Sequence, residues 1–137
     1  MNMLFLCTGN SCRSQMAEGW GRTLAADHGH AFRSAGIEAH GKNPRAIAVM
    51  QEAGVDIASQ ESTRLTDEML AWADLVVTVC GHTDEQCPVL PGGTRKLHWA
   101  LKDPVRASGS EAEILQVFRA SRDDIKRRVQ ALLADLQ

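Results

Sequence analysis

The sequence predicts a single α/β domain over residues 1–137, built on a four-stranded parallel sheet with helices on both faces. Predicted strands alternate with predicted helices, which is typical of right-handed βαβ crossovers. The strongest predicted strand, Leu75–Val79, is β-branched and uninterrupted, as expected of a parallel strand buried on both faces. A chain of 137 residues, 44% of them hydrophobic, suits one domain with its own core.

The predicted elements begin with a short apolar strand at Met3–Leu6. A helix follows from about Arg13, because apolar residues then recur every four positions, at Met16, Trp20 and Leu24. Gly29 is its predicted end. A second strand is predicted at Ala31–Ala35.

Two further helices carry start signals. Asn43 and Pro44 are the N-cap and first residue of one helix, which Gly54 ends. Thr66, followed by two acidic residues, opens a short helix that runs through Trp72.

The last predicted elements are a weaker strand at Arg95–Trp99 and a long terminal helix. Ser110 and Glu113 form a capping box that begins this helix. Its apolar stripe, which we expect to pack on the core, consists of Ile114, Phe118, Ile125, Val129, Leu132 and Leu136.

Composition limits the function classes. The net charge is −2 without a basic tract, so we expect no nucleic-acid or membrane partner. No apolar run reaches the length of a membrane span, and we see no signal peptide. We therefore expect a cytoplasmic monomer whose four cysteines are reduced at rest. Cysteines retained in that compartment are more often catalytic, redox-active or metal-binding than structural.

The loop CTGNSCRS has the spacing C-x5-R and joins the first strand to the first helix. Its small residues can turn their N–H groups inward as an anion nest at the positive end of the helix dipole. Gly9 and Asn10 tolerate the left-handed backbone that such a curve needs, and Arg13 offers a fork for two oxygens of a tetrahedral oxyanion. The predicted oxyanion-binding residues are Thr8, Gly9, Asn10, Ser11, Cys12, Arg13 and Ser14.

Cys7 is the predicted nucleophile, because the same field favours a thiolate and Ser14 can add a hydroxyl hydrogen bond to the sulfur. The alternative is that Cys7 is a small buried hydrophobe at a strand end. The strand before the loop and the helix after it favour the nucleophile. A Walker-type nucleotide loop is excluded, because the Gly-Lys-Ser/Thr ending is missing.

Asp103, followed by Pro104, comes directly after the last predicted strand. Ligands bind at the carboxyl ends of parallel strands, so we expect Cys7, Cys80 and Asp103 to share one sheet edge. There Asp103 could protonate a departing oxygen. By itself, Asp-Pro is only a turn initiator.

Cys80 and Cys87 allow three interpretations. They could be zinc ligands with His82 and His98, although the spacing matches no compact zinc motif. They could be inert core residues, or they could form a thiol relay. If 81–86 is helical, the two Cα atoms lie ~10 Å apart, whereas a disulfide needs them within roughly 7 Å. A disulfide between them would require this segment to unwind or to form a loop. For a thiol relay we therefore predict that 78–91 is mobile and changes shape on oxidation.

Four stretches, CTGNSCRSQMAEGW, SAGIEAHGKNP, ADLVVTVCGHTDEQCPVLP and HWALKDP, resemble the thioredoxin-coupled arsenate reductases. That family shares the fold of the low-molecular-weight protein tyrosine phosphatases, and the similarity covers nearly the whole chain. The resemblance implies an arsenate reductase that serves arsenic detoxification. It also implies that the catalytic residues are Cys7, Arg13, Cys80, Cys87 and Asp103.

The resemblance further implies the order of events. Cys7 attacks arsenate, Asp103 protonates the departing oxygen, and Cys80 then attacks Cys7 and releases arsenite. Cys87 attacks Cys80 to form a disulfide that thioredoxin reduces, so no tightly bound cofactor is needed. Cys12 has no role in the family, and we expect its thiol to point away from the ligand.

Some relatives of this kind bind potassium beside the loop, and the corresponding positions here are Asn10, Glu18, Ser34 and Ser62. Arg64 stands where the family has an aspartate. A cation at that position should repel or replace a metal ion. We therefore expect no metal site, and we expect Glu18 to pair with Arg64.

Two other functions use the same loop. A low-molecular-weight phosphatase acting on phosphotyrosine or another phosphomonoester would need Cys7, Arg13 and Asp103, but it would give Cys80 and Cys87 no purpose. The chain also has no tyrosine to line an aromatic cleft. A weak phosphatase side activity is nevertheless expected. A non-enzymatic thiol or oxyanion sensor is the third hypothesis, and no added domain or tail supports it.

Overall fold

The computed structural model describes residues 1–25, 29–79 and 92–136. Within them four parallel strands form one sheet in the order β2-β1-β3-β4. The strands are β1 (Asn2–Cys7), β2 (Ala31–Gly36), β3 (Leu75–Thr78) and β4 (Arg95–His98). The predicted four-stranded parallel sheet is confirmed.

The helices of the described residues are α1 (Arg13–Leu24), α2 (Pro44–Glu52), α3 (Asp67–Trp72) and α4 (Glu111–Asp135), with a 3₁₀ turn at Pro104–Arg106. The predicted N-caps at Asn43 and Thr66 and the capping box at Ser110 are all present. None of these helices is long and apolar enough to cross a bilayer.

The helices cover both faces of the sheet, as predicted. Along β1 alternate side chains enter separate cores. Met3, Phe5 and Cys7 join the core that includes residues of α1, α2 and α4. Leu4 and Leu6 join a smaller core with residues of α3. Because both faces are buried, β1 and β3 read as continuous apolar runs.

The predicted end of α1 is wrong. The helix stops at Leu24, where the N–H of buried Ala25 donates to Gly21 O as the C-cap. Gly29 does adopt the left-handed φ of +70° that a helix end favours, but it lies beyond the helix. The helix therefore ends five residues before the glycine that the sequence pattern indicates as its end.

Candidate active site

The loop between β1 and α1 curves around the sulfur of Cys7, which is 4% exposed. The Asn10 N–H donates to Cys7 Sγ over 3.1 Å, and Ser14 Oγ lies 2.8 Å from the same sulfur. The expected contact between Ser14 and the thiol is therefore present. Asn10 has a φ of +49°, so it takes the left-handed conformation that turns its N–H inward.

Gly9 serves a different purpose from the one expected, because its backbone is not left-handed. A Cβ at this position would lie 2.4 Å from His40 Nδ1. The His40 N–H donates to Gly9 O over 2.9 Å, and its ring bonds to Glu38 Oε2. Glycine therefore allows His40 to lie against the loop at its rim.

Arg13 connects the loop to the ends of β3 and β4. Its Nη1 donates to Leu101 O over 3.1 Å and to Val79 O over 3.4 Å. Its Nη2 lies 3.7 Å from Asp103 Oδ2, while Asp103 Oδ1 accepts the Val105 N–H over 3.0 Å. Of the three residues expected at one sheet edge, Cys7 and Asp103 line one cleft together with Arg13, and Cys80 lies outside the described residues.

These residues share a cleft of about 930 Å³. Five of the predicted oxyanion-binding residues belong to its wall: Thr8, Gly9, Ser11, Cys12 and Arg13. Asn10 and Ser14 do not line it; both are fully buried behind the loop, where they contact the nucleophile from its far side. Lys102 and Arg106 add positive charge to the opposite wall.

Cys12 belongs to the cleft wall but is only 4% exposed. Burial raises the pKa of its thiol to about 12, against a smaller lowering effect of Arg13. A thiol with so high a pKa stays protonated and unreactive at neutral pH.

Cys80 and Cys87 lie outside the described residues, as does most of the segment 78–91 that we predict to be mobile. The neighbouring residue Val79 is described and buried, and its N–H donates to Leu6 O over 2.9 Å. The zinc interpretation also depends on undescribed positions. Within the described ranges no three His, Cys, Asp or Glu side chains come together as a metal site.

The predicted pairing of Glu18 with Arg64 is wrong. Glu18 Oε1 accepts the Ser34 hydroxyl over 2.6 Å, and Glu18 Oε2 lies 2.7 Å from Arg22 Nη2, one helical turn away. Arg64 instead forms a backbone bridge beside Gly36. Ser62, the remaining candidate for potassium, lies 3.1 Å from Gly41 N and 3.5 Å from Gly9 O.

Burial raises the pKa of Glu18, and its bonds to Ser34 and Arg22 offset only part of that effect. The folded state then binds a proton more readily than the unfolded state. The stability from this group is complete below the ordinary carboxyl pKa and is lost as pH rises through the raised one. We expect the unfolding free energy of the wild type, relative to Glu18→Gln, to fall with rising pH across that window. Urea unfolding of both proteins at several pH values tests this, and a flat or rising difference would contradict it.

Three residues behind the loop were missed by sequence reasoning. Gln15 and Gln60 are 0% and 7% exposed. Gln15 and the Thr63 N–H donate to Asn10 Oδ1, and Gln60 donates to Gln15. Polar residues at these positions read as ordinary helix and loop surface. Their burial depends on contacts between segments about 45 residues apart, for which the sequence contains no local signal.

Comparison with known proteins gives consistent matches. The sequence profile described as low molecular weight phosphotyrosine protein phosphatase matches residues 2–137. An arsenate reductase of Halalkalibacterium halodurans is 51% identical over 125 residues, which are 91% of this chain and 89% of that protein. A solved arsenate reductase in the phosphate binding state has a TM-score of 0.80 and 38% identity, over 99% of this chain and 98% of that one. The YwlE arginine phosphatase with a phosphorylated active-site serine has a TM-score of 0.81 and 26% identity, over 99% and 95%.

Proposed function

The chain belongs to the low molecular weight phosphotyrosine protein phosphatase family, and we propose that within this family it is an arsenate reductase. It converts arsenate to arsenite by a relay of three cysteines, in the service of arsenic detoxification. Similarity to arsenate reductases over most of the chain, in sequence and in structure, supports this proposal.

The observation that carries the proposal is the position of Val79 beside the loop. Its carbonyl faces Arg13, and its N–H bonds to Leu6, the residue before the nucleophile. Cys80 follows Val79 in the sequence, so the position of Val79 supports the proposal that the Cys80 thiol can reach Cys7. A phosphatase has no use for that thiol, whereas a reductase needs it.

In the first step the loop amides and Arg13 bind arsenate. The Cys7 thiolate displaces one arsenate oxygen and forms a sulfur–arsenic bond. Asp103 protonates the displaced oxygen, which leaves as water. The placement of Asp103 at the cleft, 3.7 Å from Arg13, supports this role.

In the second step the Cys80 thiolate attacks the Cys7 sulfur. The electron pair of the sulfur–arsenic bond passes to arsenic, which is reduced from arsenic(V) to arsenic(III) and leaves as arsenite. A Cys7–Cys80 disulfide forms at the same time. Cys87 then attacks Cys80 and frees Cys7, which leaves a Cys80–Cys87 disulfide for the dithiol of thioredoxin to reduce.

The thiols supply both electrons, so the proposal includes no tightly bound cofactor. It includes no potassium ion either, because the Arg22 guanidinium already neutralises Glu18. We place the enzyme in the cytoplasm, since that compartment keeps the relay thiols reduced between turnovers. We also propose that it is a monomer.

A phosphatase activity is the second candidate, and the structural similarity to the arginine phosphatase favours it. The same nucleophile, guanidinium and acid would form and hydrolyse a phosphocysteine. We expect this activity to be weak and to consist of p-nitrophenyl phosphate hydrolysis without any need for thioredoxin.

Arsenite production in the presence of thioredoxin and its reductase tests the function. The wild type should produce arsenite through many turnovers, and Cys7→Ser should lose both arsenite production and phosphate release, because both reactions begin at this sulfur. Phosphate release without arsenite would assign the chain to the phosphatases. Arsenate binding without turnover would instead support a sensor.

A further inference from the structure

A buried hydrogen-bond network lies behind the nucleophile loop and connects it to the segment between α2 and α3. Gln15 Nε2 donates to Asn10 Oδ1 over 3.1 Å and to Glu61 O over 2.9 Å. Gln60 Nε2 donates to Gln15 Oε1 over 2.8 Å. None of the catalytic steps described above uses Gln15 or Gln60.

The orientation of the Asn10 amide is determined by a backbone group. The Thr63 N–H can only donate, and it faces Asn10 Oδ1 at 2.7 Å. The other end of the amide is therefore Nδ2, which donates to Ser14 Oγ over 2.8 Å. Because Ser14 Oγ accepts this bond, its own hydrogen is available for Cys7 Sγ at 2.8 Å. A thiolate accepts hydrogen bonds and cannot donate them, so this direction favours the ionised nucleophile.

The two glutamines are oriented in the same way. One end of the Gln15 amide faces the carbonyl oxygens of Asn10 and Glu61, which only accept, so it must be the nitrogen. That nitrogen also faces Asn10 Oδ1. The Gln60 nitrogen is identified by the Gln15 carbonyl oxygen, 3.1 Å away. Every amide in the network therefore donates toward the loop.

We propose that Gln15 is a positioning residue for the nucleophile. It holds Asn10 at two points, the main-chain carbonyl and the side-chain oxygen. These bonds keep the left-handed Asn10 in the orientation that leaves the Ser14 hydrogen for Cys7. The proposal deepens the proposed function, on which it rests for the role of Cys7, but it concerns the state of the thiol and can be tested without arsenate.

The test is the rate at which iodoacetamide alkylates Cys7 at neutral pH, followed for the Cys7 peptide by mass spectrometry. Gln15→Met keeps the length of the side chain and removes the amide. We expect alkylation to slow by about threefold to tenfold, the effect of losing one net hydrogen bond. Gln116→Met is the matched control, because Gln116 is exposed on α4, and it should react like the wild type.

A double-mutant cycle separates positioning from general destabilisation. In a Ser14→Ala background the hydroxyl is gone and only the Asn10 N–H still donates to Cys7 Sγ, so Gln15→Met should slow alkylation less than it does in the wild type. Equal slowing in both backgrounds, or none in either, would overturn the proposal. If Gln15→Met folds poorly by thermal unfolding, Gln60→Met removes only the donor to Gln15. It should then show a smaller slowing that is reduced further in the Ser14→Ala background, and an undiminished slowing there would equally overturn the proposal.

This readout also separates the two claims. Slowing that depends on Ser14 in a protein that forms no arsenite would uphold the role of Gln15 and reject the proposed reductase function. Arsenite formation by the wild type, together with unchanged alkylation in Gln15→Met, would uphold the reductase function and reject the role of Gln15.

Discussion

Replacing Cys87 with serine is expected to allow a single round of arsenate reduction and then to stop the enzyme. The first two thiols can still transfer one electron pair to arsenic. Without the third thiol the oxidised pair stays within the protein as a Cys7–Cys80 disulfide. Arsenite should therefore form in about one equivalent per enzyme, even with thioredoxin in excess.

Mass spectrometry of the non-reduced, digested protein measures this outcome as a linked Cys7–Cys80 peptide pair. Cys80→Ser is the comparison, because it interrupts the relay one step earlier and should yield no arsenite at all. Repeated turnover of Cys87→Ser with thioredoxin would show that the third thiol is not needed.

Replacing Gly36 with alanine is expected to distort the nucleophile loop and to lower stability by about 1–3 kcal/mol, the usual cost of overpacking. An added Cβ would lie 2.3 Å from Glu38 O, 2.7 Å from Asn10 N and 2.8 Å from Thr8 O. All three are backbone atoms, so a rotamer change cannot relieve the contact. Asn10 N is also the donor to the Cys7 sulfur, so activity should fall further than the loss of stability alone explains.

Gly92→Ala is the matched control, because among the described residues no atom lies within 4 Å of a Cβ at that position. Urea unfolding and the Cys7 alkylation rate should separate the two variants. If Gly36→Ala matched Gly92→Ala in both measurements, the close approach of Gly36 to the loop would be wrong.

Local patterns were sufficient for most of the fold. The apolar runs of β1 and β3 identify strands because parallel strands are buried on both faces. Asn43, Thr66 and Ser110 begin helices because their side chains satisfy the N–H groups of the first turn. Each signal lies within a few residues of the structure it predicts.

Sequence patterns also predicted the residues that line the cleft of the candidate site. Cys7, Arg13 and Asp103 follow strands or open a helix, and parallel topology brings such positions to one sheet edge. The relay residues Cys80 and Cys87 remain assigned by sequence alone.

Periodicity, caps and spacing within short segments were enough to predict the element types, the parallel sheet and an anion-binding loop, because each of these depends on neighbouring residues. The partner of Glu18, the burial of Gln15 and Gln60, and the contact of Gly36 with the loop became known from the folded structure. Such contacts join segments far apart in the chain, and they depend on how side chains fill a particular interior. Arg22 pairs with Glu18 because it lies one helical turn away, beside the same buried carboxylate. The family resemblance of the sequence predicts Arg64 as the partner instead.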